Sequence, residues 1–126
     1  MADFQPVRFG RIFVLELERG EDILKSVERL IAEKGMKRAV FQAGAGTVDS
    51  CSSHFAAKDE NGQYHDCPLS WEGSPRHLCG VTGFIENGKP HLHGVLGNQE
   101  ESWTVHLHEA CVCSGPFRLL AAELLD

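Results

Sequence analysis

The stretch His91-Leu-His-Gly-Val-Leu-Gly-Asn-Gln-Glu-Glu-Ser-Trp-Thr-Val-His-Leu-His108 gathers four of the chain's seven histidines into two His-x-His pairs around a polar centre. Alternate residues of an extended strand share a face, so each pair points its rings the same way. A hairpin folded symmetrically about Gln99-Glu100 sets His91 opposite His108 and His93 opposite His106. Cross-strand Cβ atoms then stand about 4.5–5.5 Å apart, and imidazole arms can close that gap onto one ion at about 2.0–2.1 Å per nitrogen. A register shifted by one residue would put the pairs on opposite faces, so the reading depends on the turn. Leu92, Gly94 and Leu96 alternate with the first pair, and Trp103, Val105 and Leu107 with the second. That opposite face is apolar and is expected to cover the core. From spacing alone, a metal site and a histidine face kept for solubility or for an oligomer interface both stay open.

Working outward, the flanks read as further strands. His77 to Ile85 runs into Glu86-Asn-Gly-Lys89, a hairpin signal, so this strand should pair with the one from His91. After Glu109 to Cys113 and a break at Ser114-Gly-Pro116, the tail Phe117 to Leu125 is open between strand and short helix, its Ala and Leu content leaning to helix. Towards the N-terminus, Pro68 to Pro75 is a loop or edge by composition, and Asp59-Glu-Asn-Gly62 marks a hairpin between a strand near Cys51 to Lys58 and a return from Tyr64. Lys37 to Val48 reads as a separate strand ending in Gly44-Ala-Gly46. That Gly-x-Gly lacks a third glycine and a following helix, so a nucleotide loop is disfavoured against twist, a bulge or close approach of another chain. Ile23, Leu24, Val27, Leu30 and Ile31 form one stripe of an amphipathic helix running from Glu21 to Lys34 and stopped by Gly35. A first strand covers Ile12 to Glu18. The expectation is one α+β domain over residues 1–126, a mostly antiparallel β-sheet packed on one long N-terminal helix.

A net charge of −6, with 12 Lys and Arg among 18 acids, gives none of the basic stripe that phosphate neutralisation needs. No run reaches about 18 apolar residues and the N-terminus has no secretory pattern, which predicts a cytoplasmic protein with no membrane partner. Five cysteines without framework spacing predict reduced thiols, with Cys111 and Cys113 as buried small residues.

Taken together, Phe9-Gly-Arg-Ile-Phe-Val-Leu-Glu-Leu-Glu-Arg-Gly-Glu-Asp-Ile23, Gly44-Ala-Gly46, Val81-Thr-Gly83, Asn87-Gly-Lys-Pro-His-Leu-His93 and His106-Leu107 resemble the PPC (plants and prokaryotes conserved) domain over nearly the whole chain. The same domain follows the AT-hook in plant nuclear proteins. The resemblance implies an α/β sandwich-like domain assembling as a homotrimer, with a divalent metal, zinc above all, held by His91, His93 and His106. This chain departs from the family in having Thr104-Val105 where glycines usually precede the third histidine. The family does not call for His108. It is read as a hydrogen-bonding neighbour of the site or a surface residue before a fourth ligand, because three protein ligands and an open position complete a zinc site.

Two function classes follow. The first is a binding or regulatory module in a family described as DNA-binding, although this chain has no Arg-Gly-Arg-Pro hook and an acidic balance. The second is a zinc-dependent enzyme, a hydrolase or lyase acting on an unidentified small molecule, since water on such an ion can ionise near pH 7. Glu86, Glu100, Glu101 and Glu109 lie near in sequence. None is assigned as a catalytic residue.

Overall fold

Asn87-Gly88 closes a two-residue hairpin, both residues at positive φ (51° and 74°) as such a turn between right-twisted strands demands. In this computed structural model, residues 1–71, 75–108 and 110–126 are described. Among them run β1 (Arg8–Leu17), α1 (Ile23–Lys34), β2 (Ala39–Lys58), β3 (Tyr64–Trp71), β4 (Arg76–Glu86), β5 (Lys89–Gly97), β6 (Ser102–Leu107) and β7 (Val112–Leu125). All strand pairings are antiparallel, in the order β1-β7-β2-β4-β5-β6 with β3 on β2.

The frame is β2, a 20-residue strand that changes partners along its length. Its first half lies between β4 and β7, and its second half between β3 and β6. Because β6 returns to β2 at Ser53 and His54, strands β2, β4, β5 and β6 close into a ring. The sequence reading of two separate strands here is corrected. The polar run Asp49 to Ser53 does not break the strand, because Cys51 and Ser53 alternate inward and both are buried.

The glycines of Gly44-Ala-Gly46 serve close packing within the chain. A Cβ on Gly46 would come within 2.4 Å of the Phe117 ring, and one on Gly44 within 2.7 Å of Leu119, both on β7. The core joins Phe41 and Val48 of β2, Leu78, Val81 and Ile85 of β4, Leu92 and Leu96 of β5, Val105 and Leu107 of β6, and Phe117 and Leu119 of β7. The apolar face predicted for the histidine hairpin is therefore buried, with Trp103 partly so.

The long N-terminal helix is corrected too. Asp22 accepts from the Lys25 N–H at 3.1 Å and Gly35 takes the left-handed conformation, so the helix is confined to 12 residues, about 18 Å. Of its stripe only Ile23 and Val27 are fully buried. The core is enclosed by strands, and the helix covers one side of it. The leaning of the tail towards helix is overturned: β7 sits between β1 and β2, paired on both edges. Pro68 falls on β3, which pairs only with β2 among the described residues, the edge position that composition suggested. Residues 72–74 of the expected loop lie outside the described residues.

Cys51 and Cys111 are joined in a disulfide, against the expectation of reduced thiols throughout. They are 60 residues apart in sequence, and only the return of the chain beyond β6 along β2 brings them together. Cys67, Cys79 and Cys113 are free. Cys113 is fully buried, and burial together with Glu21 and Asp22 pushes its thiol up to about 11, so it stays protonated. No helix among the described residues is long and apolar enough to cross a membrane.

Candidate metal centre

The turn that sets the histidine register is local. Asn98 accepts through its side-chain oxygen from the N–H groups of Glu100 (2.9 Å) and Glu101 (3.0 Å), fixing the loop between Gly97 and Ser102. From that pair the ladder counts back through Leu96↔Trp103 and Gly94↔Val105 to His93↔His106, as symmetric folding requires. The predicted pairing of His91 with His108 does not form. At His106 the strand leaves β5 for β2: His106 also pairs with His54, Leu107 pairs with Ser53, and the His108 N–H donates to the Ser52 carbonyl at 3.1 Å. His91 instead pairs with Phe84 of β4.

One register row thus reads Thr82, His93, His106, His54, Pro68 across β4, β5, β6, β2 and β3. His91 and His108 stand two residues along from His93 and His106, on the same face. His106 is the hub of this five-histidine group. Its ring centroid lies 4.3 Å from His91, 5.2 Å from His93, 4.7 Å from His54 and 4.8 Å from His108. The Nε2 atoms of His91 and His93 are 3.0 Å apart. On the other side, His106 Nδ1 is 3.3 Å from His54 Nε2, and His54 Nδ1 is 2.5 Å from His108 Nε2. Asp66 Oδ1 stands 3.9 Å from His54 Nε2. Crowding has an electrostatic consequence. Burial, then the four neighbouring imidazoles, drive His106 down to about 4, and burial with His91 and His54 lowers His93. Both rings are neutral at pH 7, the form whose lone pair can ligate a metal.

A cleft lies on each side of the hub. One of about 750 Å³ is lined by His91 and His93 with Phe41, Phe84, Glu86 and Lys89. The other, about 770 Å³, is lined by His54, His108, Asp66, Pro68, Leu24 and Ser53.

The model of the Plants and Prokaryotes Conserved (PCC) domain matches residues 4–125. The chain belongs to the PCC domain family. Solved structures similar to this PCC chain include a metal-containing protein of Archaeoglobus fulgidus, 22% identical, with 100% of this chain and 87% of that one covered at a TM-score of 0.75. A plant- and prokaryote-conserved protein of Pyrococcus horikoshii is 23% identical over 99% and 86%, at 0.72. A candidate DNA-binding protein of Bacteroides thetaiotaomicron is 16% identical over 93% and 83%, at 0.70. At these identities the likeness is one of fold. No curated protein matches the chain.

Within the PCC fold, His91, His93 and His106 come together, and His108 joins them through its ring contact with His106. The residue that sequence reasoning missed is His54. It follows directly on the polar run Asp49 to Ser53, within the strand expected near Cys51 to Lys58, and reaches the group through the β2–β6 pairing across 52 residues. Among the described residues, ring nitrogens of His54, His106 and His108 lie within 4.8 Å of one another. Glu86 lines the cleft beside His91 and His93. Glu109 lies outside the described residues.

Proposed function

We propose that this PCC-domain protein is a binding or regulatory module built around a divalent metal, most naturally zinc, held by His91, His93 and His106 with one coordination position open to the adjoining cleft. The observation that carries the reading is the imidazole cluster at the rim of that cleft, with the pKa of His93 and His106 lowered by burial. Two nitrogens bound to one tetrahedral ion at about 2.0–2.1 Å stand about 3.3–3.4 Å apart, and the 3.0 Å between His91 Nε2 and His93 Nε2 is close to that spacing. Three neutral ligands leave the ion its full charge, suited to an anionic or carbonyl-bearing ligand. Val40, Phe41 and Phe84 supply an apolar wall for the rest of such a molecule, and Lys89 a cation at the edge. The metal-containing Archaeoglobus relative supports the same reading. Metal analysis of purified protein beside a His93→Ala variant tests it. The variant should lose at least one equivalent of zinc, and unchanged zinc content would sink the reading.

A zinc-dependent hydrolase or lyase is the second reading, favoured by Glu86 in the same cleft, where a carboxylate could take a proton from bound water. DNA is the partner that the Bacteroides relative suggests, but a chain of net charge −6 has little to neutralise phosphates with. Titration against duplex DNA at decreasing salt should give no measurable affinity. The family's homotrimer extends to this chain in the same proposal, together with a cytoplasmic location. Its support is an apolar strip left outside the core, with Ile12 and Val14 exposed on β1 beside a trough formed by Ala43, Ala45 and Leu120.

A further inference from the structure

We propose that His54, His106 and His108, with the carboxylate of Asp66, form a second divalent-metal position on the opposite side of His106 from the first. Three features carry it. His54 Nε2 and His106 Nδ1 are 3.3 Å apart, the edge length of a tetrahedral zinc site with nitrogens at about 2.0–2.1 Å. His108 offers a third nitrogen within 4.8 Å of the other two, on an exposed ring whose Nε2 lies 2.5 Å from His54 Nδ1. Asp66 Oδ1, 3.9 Å from His54 Nε2, brings an oxygen donor and a negative charge from β3.

These donors come from three adjacent strands, each placed by backbone pairing. Asp66 stands two residues before Pro68, which pairs with His54, and His106 pairs with His54 from the other edge. The segment is anchored at both ends as well. The Cys51–Cys111 disulfide lies three residues before His54 and three after His108, and the Ala110 N–H donates to Asp22 Oδ2 at 2.5 Å. The position opens into the 770 Å³ cleft, separate from the one beside His91 and His93.

Sharing His106 is chemically consistent. A neutral imidazole has one free lone pair in its ring plane, so holding both ions requires His106 as an imidazolate: its remaining N–H proton passes to solvent as the second ion binds, and Nδ1, turned towards His54, then serves the second position and Nε2 the first. The pair of positions would therefore be bridged by one ring, and each ion has its own exclusive ligands: His91 and His93 for the first, His54, His108 and Asp66 for the second.

Equilibrium dialysis against zinc, read by elemental mass spectrometry, tests this on the wild type and on His54→Ala, Asp66→Asn and the His91→Ala/His93→Ala double variant. Two ions per chain are expected in the wild type, and one in both His54→Ala and the double variant. Asp66 is exposed, so its replacement leaves folding intact even if His54→Ala does not. Asp66→Asn should weaken the second ion by about tenfold or more, the usual cost of losing even an outer partner of a metal site. One ion per chain that is lost in the double variant and untouched by His54→Ala and Asp66→Asn overturns the second position while leaving the first. One ion that survives the double variant and is lost in His54→Ala upholds the second position and overturns the first.

Discussion

Gly83 governs how closely β4 can approach the strand that carries His91 and His93. Its φ of +147° is one that L side chains rarely adopt, and a Cβ there would stand on the His91 carbonyl oxygen. Gly83→Ala should therefore cost about 1–3 kcal/mol in strain and displaced backbone, read as a lower urea midpoint with an unchanged slope. Metal affinity should fall with it, because His91 is the residue pushed. His106 sets a pH dependence whose sign follows from its lowered pKa. The unfolded chain takes up this proton near pH 6.5, whereas the folded ring resists until about pH 4. Metal-free protein should keep its full stability above pH 6.5 and lose it progressively as the pH falls towards 4, with solvent around the half-buried ring moderating the loss. Thermal melts between pH 7.5 and 4.5 check this, and His106→Gln should flatten the profile. A wild-type melting temperature that stays level across that range would contradict it. The histidines also mark where sequence reading stops. His93 and His106 could be paired from sequence because an Asn98-centred turn only four residues long sets their register. His54 and His108 could not, since their meeting depends on a strand crossing to a partner far away in the chain, which no local pattern encodes.

At the scale of elements, the helix was legible through its ends. Asp22 and Gly35 are chemical punctuation, and the stripe between them is periodic. What the stripe could not reveal was how little of the core it would cover, because that depends on strands elsewhere. Asp22 does more than cap. One carboxylate oxygen receives the Lys25 N–H and the other the Ala110 N–H, where the chain turns through a left-handed Ala110 (φ 68°) after the histidine strand. Asp22→Ala should cost about 1–2 kcal/mol from the lost cap alone, measurable by urea unfolding. Asp22→Asn should recover the Lys25 bond and much of that loss. The tail illustrates the opposite failure. Leu and Ala favour helix by intrinsic propensity, yet β7 gains a paired edge on both sides and buries Phe117, Leu119 and Ala121 between β1 and β2, so tertiary pairing overrides propensity.

Across the whole molecule, antiparallel pairing and the buried hairpin face were legible. Closure of β2, β4, β5 and β6 into a ring was not, because it rests on the two pairings at Ser53 and His54. The Cys51–Cys111 bond reinforces that closure over a 60-residue separation. Reducing it should lower stability by about 2–4 kcal/mol, seen as a lower melting temperature in dithiothreitol that a Cys51→Ser/Cys111→Ser variant reproduces without reductant. The proposed trimer predicts a light-scattering mass three times the 13.9 kDa of one chain, and Val14→Glu on the exposed strip should shift it towards the monomer. The position of β1 bears on how the protein is made. Among the described residues its strand partner is β7, joined from Arg8↔Leu125 to Leu17↔Phe117, so β1 has no strand partner until β7, about a hundred residues later in the chain, has been made. Translation at about 5–20 residues per second leaves Phe13 and Leu15, which pack against the core in the folded chain, uncovered for roughly 5–20 seconds. During that interval the apolar side chains of β1 are exposed on the nascent chain, where a chaperone would find them.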